Sequence, residues 1–82
     1  MTLPLPSKRE LIHDRNIHCK GYVRADGMFD IEAELVDFKT YDFPSDTHGI
    51  VSANTPYHHM QVRLTVDITL MVIDACAITL AG

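Results

Sequence analysis

The sequence lacks tryptophan, a C-x-x-C pair and any long apolar run, and the last two absences each exclude a class of protein. Without a C-x-x-C pair, a structural zinc site of the usual spacing is excluded. The longest aliphatic run, Leu70 to Ile73, is far shorter than the about 20 residues of a membrane span, so we expect no membrane partner. Residues 1–9 contain two prolines and no apolar stretch, which argues against a secretory signal and predicts a cytoplasmic protein.

A surplus of basic residues is also missing, although the two signs of charge are segregated along the chain. The 82 residues carry 7 Lys+Arg and 11 Asp+Glu, a net charge of −4. Residues 8–24 sum to +3 and residues 26–46 to −6. A nucleic-acid-binding domain has a basic patch with exposed aromatic side chains, whereas a basic segment followed by an acidic one indicates pairing within the fold. We therefore expect no nucleic-acid partner.

The composition as a whole predicts one small folded domain, residues 1–82. Hydrophobic residues make up 46% and charged residues 22%, which argues against intrinsic disorder. The two cysteines, Cys19 and Cys76, could form one disulfide. Without a secretory signal, however, two cysteines are typical of reduced thiols in a cytoplasm.

The clearest local signal is the turn Ala25-Asp26-Gly27, which separates two alternating segments, 15–24 and 28–39. A three-residue loop places apolar side chains opposite one another on one face, and Lys20 opposite Glu32 on the other. A two-residue loop mixes polar and apolar partners on both faces. The alternation therefore selects the three-residue loop, with a type I turn followed by a left-handed glycine.

The rest of the chain predicts a loop and further strand. Residues 40–57 are rich in proline, glycine and short polar side chains, so we predict a long loop. From about 58 to 72 the apolar residues alternate strictly without Gly or Pro, which predicts one long strand or a bend at Asp67. Beyond Val72 the alternation of apolar and polar residues is shifted, which predicts a bulge there and strand to about residue 80. The fold class is therefore all-β, an antiparallel meander of three to four strands.

Such a meander has one apolar face and no amphipathic helix in the sequence to cover it. Small sheets are marginally stable unless a second layer packs on them. We expect the sheet to pack against a second copy of itself or against sequence absent from this chain. The expected partner is therefore the other chain of a homo-oligomer or a missing C-terminal half.

An ordered set of short motifs extends over most of the chain: His13-x-Arg15-x-Ile17, Gly21-Tyr22-x-Arg24-x-Asp26-Gly27, Asp30-Ile31-Glu32-Ala33, Asp37-x-Lys39-x-Tyr41 and His58-x-Met60. From about residue 9 to 77 this set resembles a bacterial family, domain of unknown function 2889. The family's members carry a further half with a Cys-Thr-His-Leu stretch, so the resemblance implies the N-terminal part of a larger domain. His59 departs from the family, which tends to have Asp there. The resemblance implies no activity.

A polar cluster is predicted where the apolar face meets the end of the sheet. Carrying the hairpin register away from its turn places Arg15 opposite Asp37 on the otherwise apolar face. If the third strand runs antiparallel to the second, His58 lies at the same end of the sheet as Arg15 and Asp37. The candidate ligand-binding residues are therefore His13, Arg15, Asp37, Lys39 and His58. Arginine binds carboxylate or phosphate and histidine transfers protons, but an Arg15–Asp37 ion pair that only sets the strand register is the alternative.

Metal binding is less well supported by the same pattern. Neighbouring strand residues point to opposite faces, so His58 and His59 cannot both bind one ion. Only His13 and His58 with a carboxylate share a face, and we assign no metal site and leave the cofactor unknown. The function that we expect is a non-catalytic β-sheet assembly or ligand-binding module. The alternative is an enzyme or enzyme-accessory domain that uses the polar cluster.

Overall fold

The computed structural model describes residues 2–82 and folds this part of the chain into two antiparallel sheets. The strands within it are β1 His13–Val23, β2 Phe29–Lys39, β3 Phe43–Ser45, β4 Gly49–Val51, β5 His58–Val66 and β6 Val72–Ala81. One sheet has the order β1-β2-β5-β6, and β3 and β4 form a separate hairpin. The predicted all-β class is confirmed. Within residues 2–82 no helix has the length and apolar character needed to cross a bilayer.

The β1–β2 hairpin has the predicted register and loop. Val23 lies opposite Phe29, and the pairing continues without interruption to the other end of both strands. The Gly27 amide donates to the Arg24 carbonyl at 3.1 Å, and the Arg24 amide donates to the carbonyl of Met28 at 2.8 Å. Gly27 has a φ of +85°, which costs glycine nothing because it has no Cβ.

The prediction of one long strand over 58–72 is wrong, because the chain reverses direction between Val66 and Val72. The alternative prediction, a bend at Asp67, is closer to the observed turn. The Asp67 side chain accepts hydrogen bonds from the amides of Thr69 and Met71, at 2.8 and 3.1 Å. A short carboxylate that bonds to nearby amides competes with the strand ladder. Apolar residues inside the turn continue the alternation, which hides the reversal from the sequence pattern.

The segment 40–57, for which we predict a long loop, contains the short hairpin of β3 and β4. Its β-branched and aromatic residues can pair as strands, and Gly49 supplies a positive φ of +68° at the turn. Backbone hydrogen bonds hold the segment against the end of β2. The Asn54 amide donates to Lys39 at 2.7 Å, and the Tyr57 amide donates to Asp37 at 2.9 Å.

Strand alternation divides the four-stranded sheet into two faces. The apolar face consists of Ile17, Cys19, Gly21, Val23, Phe29, Ile31, Ala33, Leu35, Met60, Val62, Leu64, Val66, Ala75 and Ala77. Among residues 2–82, Val66 is the only buried apolar side chain. On the central strands, Ile31, Met60 and Val62 remain 44%, 41% and 39% exposed. The middle of the apolar face is therefore open to solvent.

The opposite, charged face pairs the acidic residues of β2 with β5. Arg63 donates from Nε to Oε2 of Glu32 at 2.6 Å. Gln61 donates to Glu34 at 2.6 Å, and this bond is the main reason that the pKa of Glu34 is lowered. The register predicts Lys20 opposite Glu32, and the backbone pairing is as predicted. The side-chain partner of Glu32 nevertheless comes from β5, which lies on the other side of β2.

Candidate functional site

The site lies at one end of the apolar face, where β1 and β5 begin and β2 ends. Strand register places Arg15 opposite Asp37 on one side and His58 opposite Asp37 on the other. The three side chains therefore form a row across three neighbouring strands. Because Asp37 is in the middle strand, it can contact both neighbours.

Asp37 is a fully buried carboxylate with two close cationic or imidazole partners. Arg15 donates from Nε to Oδ1 at 2.8 Å and from Nη2 to Oδ2 at 2.9 Å. Nδ1 of His58 lies 3.1 Å from Oδ2, and Nε2 of His13 lies 3.6 Å from Oδ1. Both carboxylate oxygens are therefore occupied by protein donors, which is what burial of a charge requires.

The bidentate arginine determines the charge state of this group. The hydrogen bonds from Arg15 hold the pKa of Asp37 well below its usual range, outweighing burial, which raises it. The hydrogen bond from His58 lowers the pKa of Asp37 further. The same ion pair raises the pKa of Arg15. Because an ionised carboxylate only accepts, Nδ1 of His58 must be the donor, and Nε2 faces away from Asp37.

Tyr57 joins the two histidines of the site. Its hydroxyl lies 3.0 Å from Nε2 of His13, and its ring centroid lies 4.6 Å from that of His58. Tyr57 directly precedes β5, and its amide is bonded to the Asp37 carbonyl, so its position follows from the end of β2. We call His13, Arg15, Asp37, Tyr57 and His58 the polar cluster.

Lys39, a predicted site residue, contacts aromatic rings beside the polar cluster. Its Nζ lies 4.6 Å from the ring centroid of Phe43, 5.6 Å from that of Tyr41 and 5.9 Å from that of Tyr57. These distances are within the range of cation–π attraction. The structure thus places His13, Arg15 and His58 beside Asp37, whereas the Lys39 ammonium lies over the aromatic rings.

The aromatic residues Tyr41, Phe43 and Tyr57 were not predicted to belong to the site. All three lie in or beside the segment 40–57, where no strand alternation indicates the direction of a side chain. The only available signal was the presence of aromatic residues in a segment that is otherwise polar. Their contacts depend on the β3–β4 hairpin folding back onto the end of β2.

The polar cluster is not arranged as a metal site. Within the described chain, residues 2–82, no group of three or more His, Cys, Asp or Glu side chains could hold a metal ion. The Asp37 oxygens are bound by Arg15, and His13 is bound to the hydroxyl of Tyr57. His58 and His59 lie on opposite faces, as parity predicts, since His59 bonds to Glu34 at 3.0 Å.

The arrangement supports two kinds of chemistry. The Arg15 side chain is 54% exposed, so N–H groups not engaged by Asp37 can donate to a bound anion. The His58 side chain is 47% exposed, and its outward Nε2 can accept or donate a proton. Asp37 supplies no proton transfer of its own, because its lowered pKa keeps it ionised.

The sequence matches a known protein family. A family model described as a protein of unknown function (DUF2889) matches residues 13–81, which includes every strand of the four-stranded sheet. No curated protein and no solved structure shows a significant match.

Proposed function

The chain belongs to the DUF2889 family of proteins of unknown function, and we propose that it is a non-catalytic module that binds an anionic ligand at the polar cluster. The ligand class is a small carboxylate or phosphate. The observation that carries this proposal is the buried Asp37, which holds Arg15 and His58 in place while both side chains stay about half exposed. Side chains locked by hydrogen bonds lose little freedom when a ligand binds.

The charge of the polar cluster favours an anion. One carboxylate, Asp37, is balanced by Arg15, and the Lys39 ammonium lies beside the cluster as a second cation. Of the five guanidinium N–H donors, Asp37 engages two, which leaves the others for carboxylate or phosphate oxygens.

The second candidate function is an enzyme or an enzyme-accessory domain. The hydrogen bond between Asp37 and Nδ1 of His58 favours it, because this bond orients a histidine whose Nε2 can act as a general base. Binding without catalysis remains the better-supported proposal. In residues 2–82, Asp37 is the only side chain that hydrogen-bonds to His58, so no nucleophile is aligned with it.

Titration with inorganic phosphate and with acetate, at constant ionic strength, tests the anion site. We expect saturable NMR shifts of backbone amides near Arg15, Asp37 and His58. Arg15→Lys keeps the charge but loses the planar fork, and it should weaken binding by about tenfold. The matched control is Arg63→Lys, since Arg63 pairs with Glu32 on the charged face and should leave the affinity unchanged.

Two results would contradict the anion-binding proposal. One is the absence of saturable shifts with both anions, and the other is an equal loss of affinity in Arg63→Lys. Hydrolysis of p-nitrophenyl acetate or p-nitrophenyl phosphate tests whether the protein is an enzyme rather than a binding module. A rate above the uncatalysed background that His58→Gln abolishes would favour catalysis over simple binding.

We also propose the cytoplasm of a bacterium as the location of this module. Cys19 and Cys76 are free, exposed and on opposite edge strands. Three strand spacings of about 4.8 Å separate them, which is too far for a disulfide. Reduced thiols suit a cytoplasm. When cells are lysed directly into denaturant that contains an alkylating reagent, both thiols should be modified, and an oxidised thiol would contradict this location.

A further inference from the structure

We propose that the apolar face of the four-stranded sheet is an interface covered by a second copy of this chain. Central strands normally supply the core of a sheet protein, because their side chains are covered by another layer. Here Ile31, Met60 and Val62 on β2 and β5 are about two-fifths exposed. Val66 alone is a buried apolar residue among residues 2–82, so the described chain contains almost no core of its own.

The excess of exposed area is of the same order as the area that a dimer interface buries. The solvent-accessible surface is 6795 Å², whereas a compact monomer of this mass exposes about 4,900 Å². The extended residues 2–12 explain part of the difference. Even if they expose as much as an unfolded chain, roughly 500 Å² of excess remains for the rest of the chain. Each partner in a standard protein interface buries about 800 Å².

The distribution of charge favours a second copy placed with its strands antiparallel to the first. At one end of the apolar face Lys39 has no carboxylate partner among the described residues, whereas Arg15 is paired with Asp37. At the opposite end Asp67, in the turn between β5 and β6, has no cationic partner among those residues, whereas Asp26 is paired with Arg24. A two-fold axis between the sheets and perpendicular to the strands brings Lys39 of each copy near Asp67 of the other. An axis along the strands would instead place the two Lys39 side chains at the same end.

The two cysteines provide a built-in probe of this interface. Cys19 lies on the apolar face, and Cys76 lies on the charged face opposite Arg63; both are free and exposed in the single chain. We expect sedimentation velocity to give a dimer at micromolar concentration. Under those conditions thiol labelling of Cys19 should be at least tenfold slower than that of Cys76. On dilution to monomer, the two rates should become similar.

A matched pair of variants tests the face directly. Val62→Glu places a charge at the centre of the apolar face and should give a folded monomer by circular dichroism and sedimentation. Ile78→Glu, at a similarly exposed apolar residue on the charged face, should remain dimeric. The wild-type labelling experiment keeps the test valid if Val62→Glu fails to fold.

Several outcomes would overturn the proposal. A wild-type monomer at tens of micromolar, with Cys19 and Cys76 reacting alike, excludes a covering copy. Protection of Cys19 in a monomer, or in a complex with a different protein, assigns the face to another occupant. Anion binding at the polar cluster is measured separately, so either proposal can fail without the other.

Discussion

Asp37 interrupts the apolar alternation of β2, and its surroundings explain how the apolar face accommodates a charge. The preceding residues on this face, Ala33 and Leu35, are apolar. Burying an ionised carboxylate is costly unless hydrogen-bond donors satisfy it. Arg15 and His58 provide those donors because the strand register places them on either side. A slip of one residue would move Asp37 to the charged face and separate it from both partners.

The first prediction concerns the charge of Asp37. Asp37→Asn keeps the size of the side chain but removes the charge that accepts from Arg15 and His58. We expect the free energy of unfolding to fall by roughly 1–3 kcal/mol at pH 7, because the charge-assisted hydrogen bonds weaken and the guanidinium loses its counter-ion. Urea denaturation at one protein concentration measures the change. Glu32→Gln, which removes an exposed ion pair with Arg63, should cost at most about 0.5 kcal/mol.

The same substitution predicts a pH dependence. Because the pKa of Asp37 is lowered in the folded state, its stabilisation is complete above the unfolded-state pKa of about 4. It is lost as the pH falls from there towards the lower pKa of the folded state. The difference in stability between wild type and Asp37→Asn should therefore shrink progressively below about pH 4. A constant difference down to pH 3 would show that Asp37 is not held ionised by Arg15.

At the scale of elements, the two turns of the large sheet reach a left-handed backbone conformation in different ways. The β1–β2 turn uses Gly27 with a φ of +85°. The β5–β6 turn uses Leu70 with a φ of +67°, a conformation that is strained for a residue with a Cβ. Hydrogen bonds to the Asp67 carboxylate, including one from the Thr69 hydroxyl at 2.6 Å, offset that strain.

The second prediction uses this contrast between the turns. Gly27→Ala should lower the free energy of unfolding by about 1 kcal/mol, because a positive φ is strained for alanine, which has a Cβ, but not for glycine. Leu70→Gly should change it in the opposite direction or leave it unchanged, since glycine relieves the strain at the second turn. Thermal or urea denaturation measures both variants. A loss of stability in Leu70→Gly would mean that its side chain, rather than its backbone, stabilises the turn.

At the scale of the whole molecule, the protein is a flat body. Its Cα atoms extend 49 × 43 × 17 Å, and the four-stranded sheet is a single layer. Sheet proteins gain most of their stability by burying apolar side chains between two layers. A layer with one open apolar face would gain stability from a partner, and the proposed pairing of two copies would supply the second layer without any new sequence.

The third prediction follows from coupling between folding and assembly. If the folded layer is stable mainly as a dimer, raising the protein concentration a hundredfold should raise the Tm by roughly 5–10 °C. Differential scanning calorimetry at several concentrations measures the effect. Val62→Glu should show a Tm independent of concentration, whereas Ile78→Glu should behave like wild type. A wild-type Tm that does not change with concentration would indicate a layer that is stable without a second copy.

The polar cluster was predictable only in part from the sequence. The hairpin register, derived from alternation and one turn, places Arg15 opposite Asp37, and antiparallel continuation adds His58. The roles of Tyr57 and Lys39 were not accessible in this way. Tyr57 lies in a segment without alternation, and the aromatic contacts of Lys39 arise only after β3 and β4 fold back.

The sequence by itself determined the all-β class, the β1–β2 register and the two faces of the sheet, because a period of two and a glycine turn are local properties of the chain. Only the tertiary structure decided the reversal between Val66 and Val72, the β3–β4 hairpin and the partners of Glu32. These features depend on side-chain hydrogen bonds and on contacts between distant segments. An alternating pattern continues unchanged through a turn whose loop residues are apolar, so it carries no record of where the strand ends.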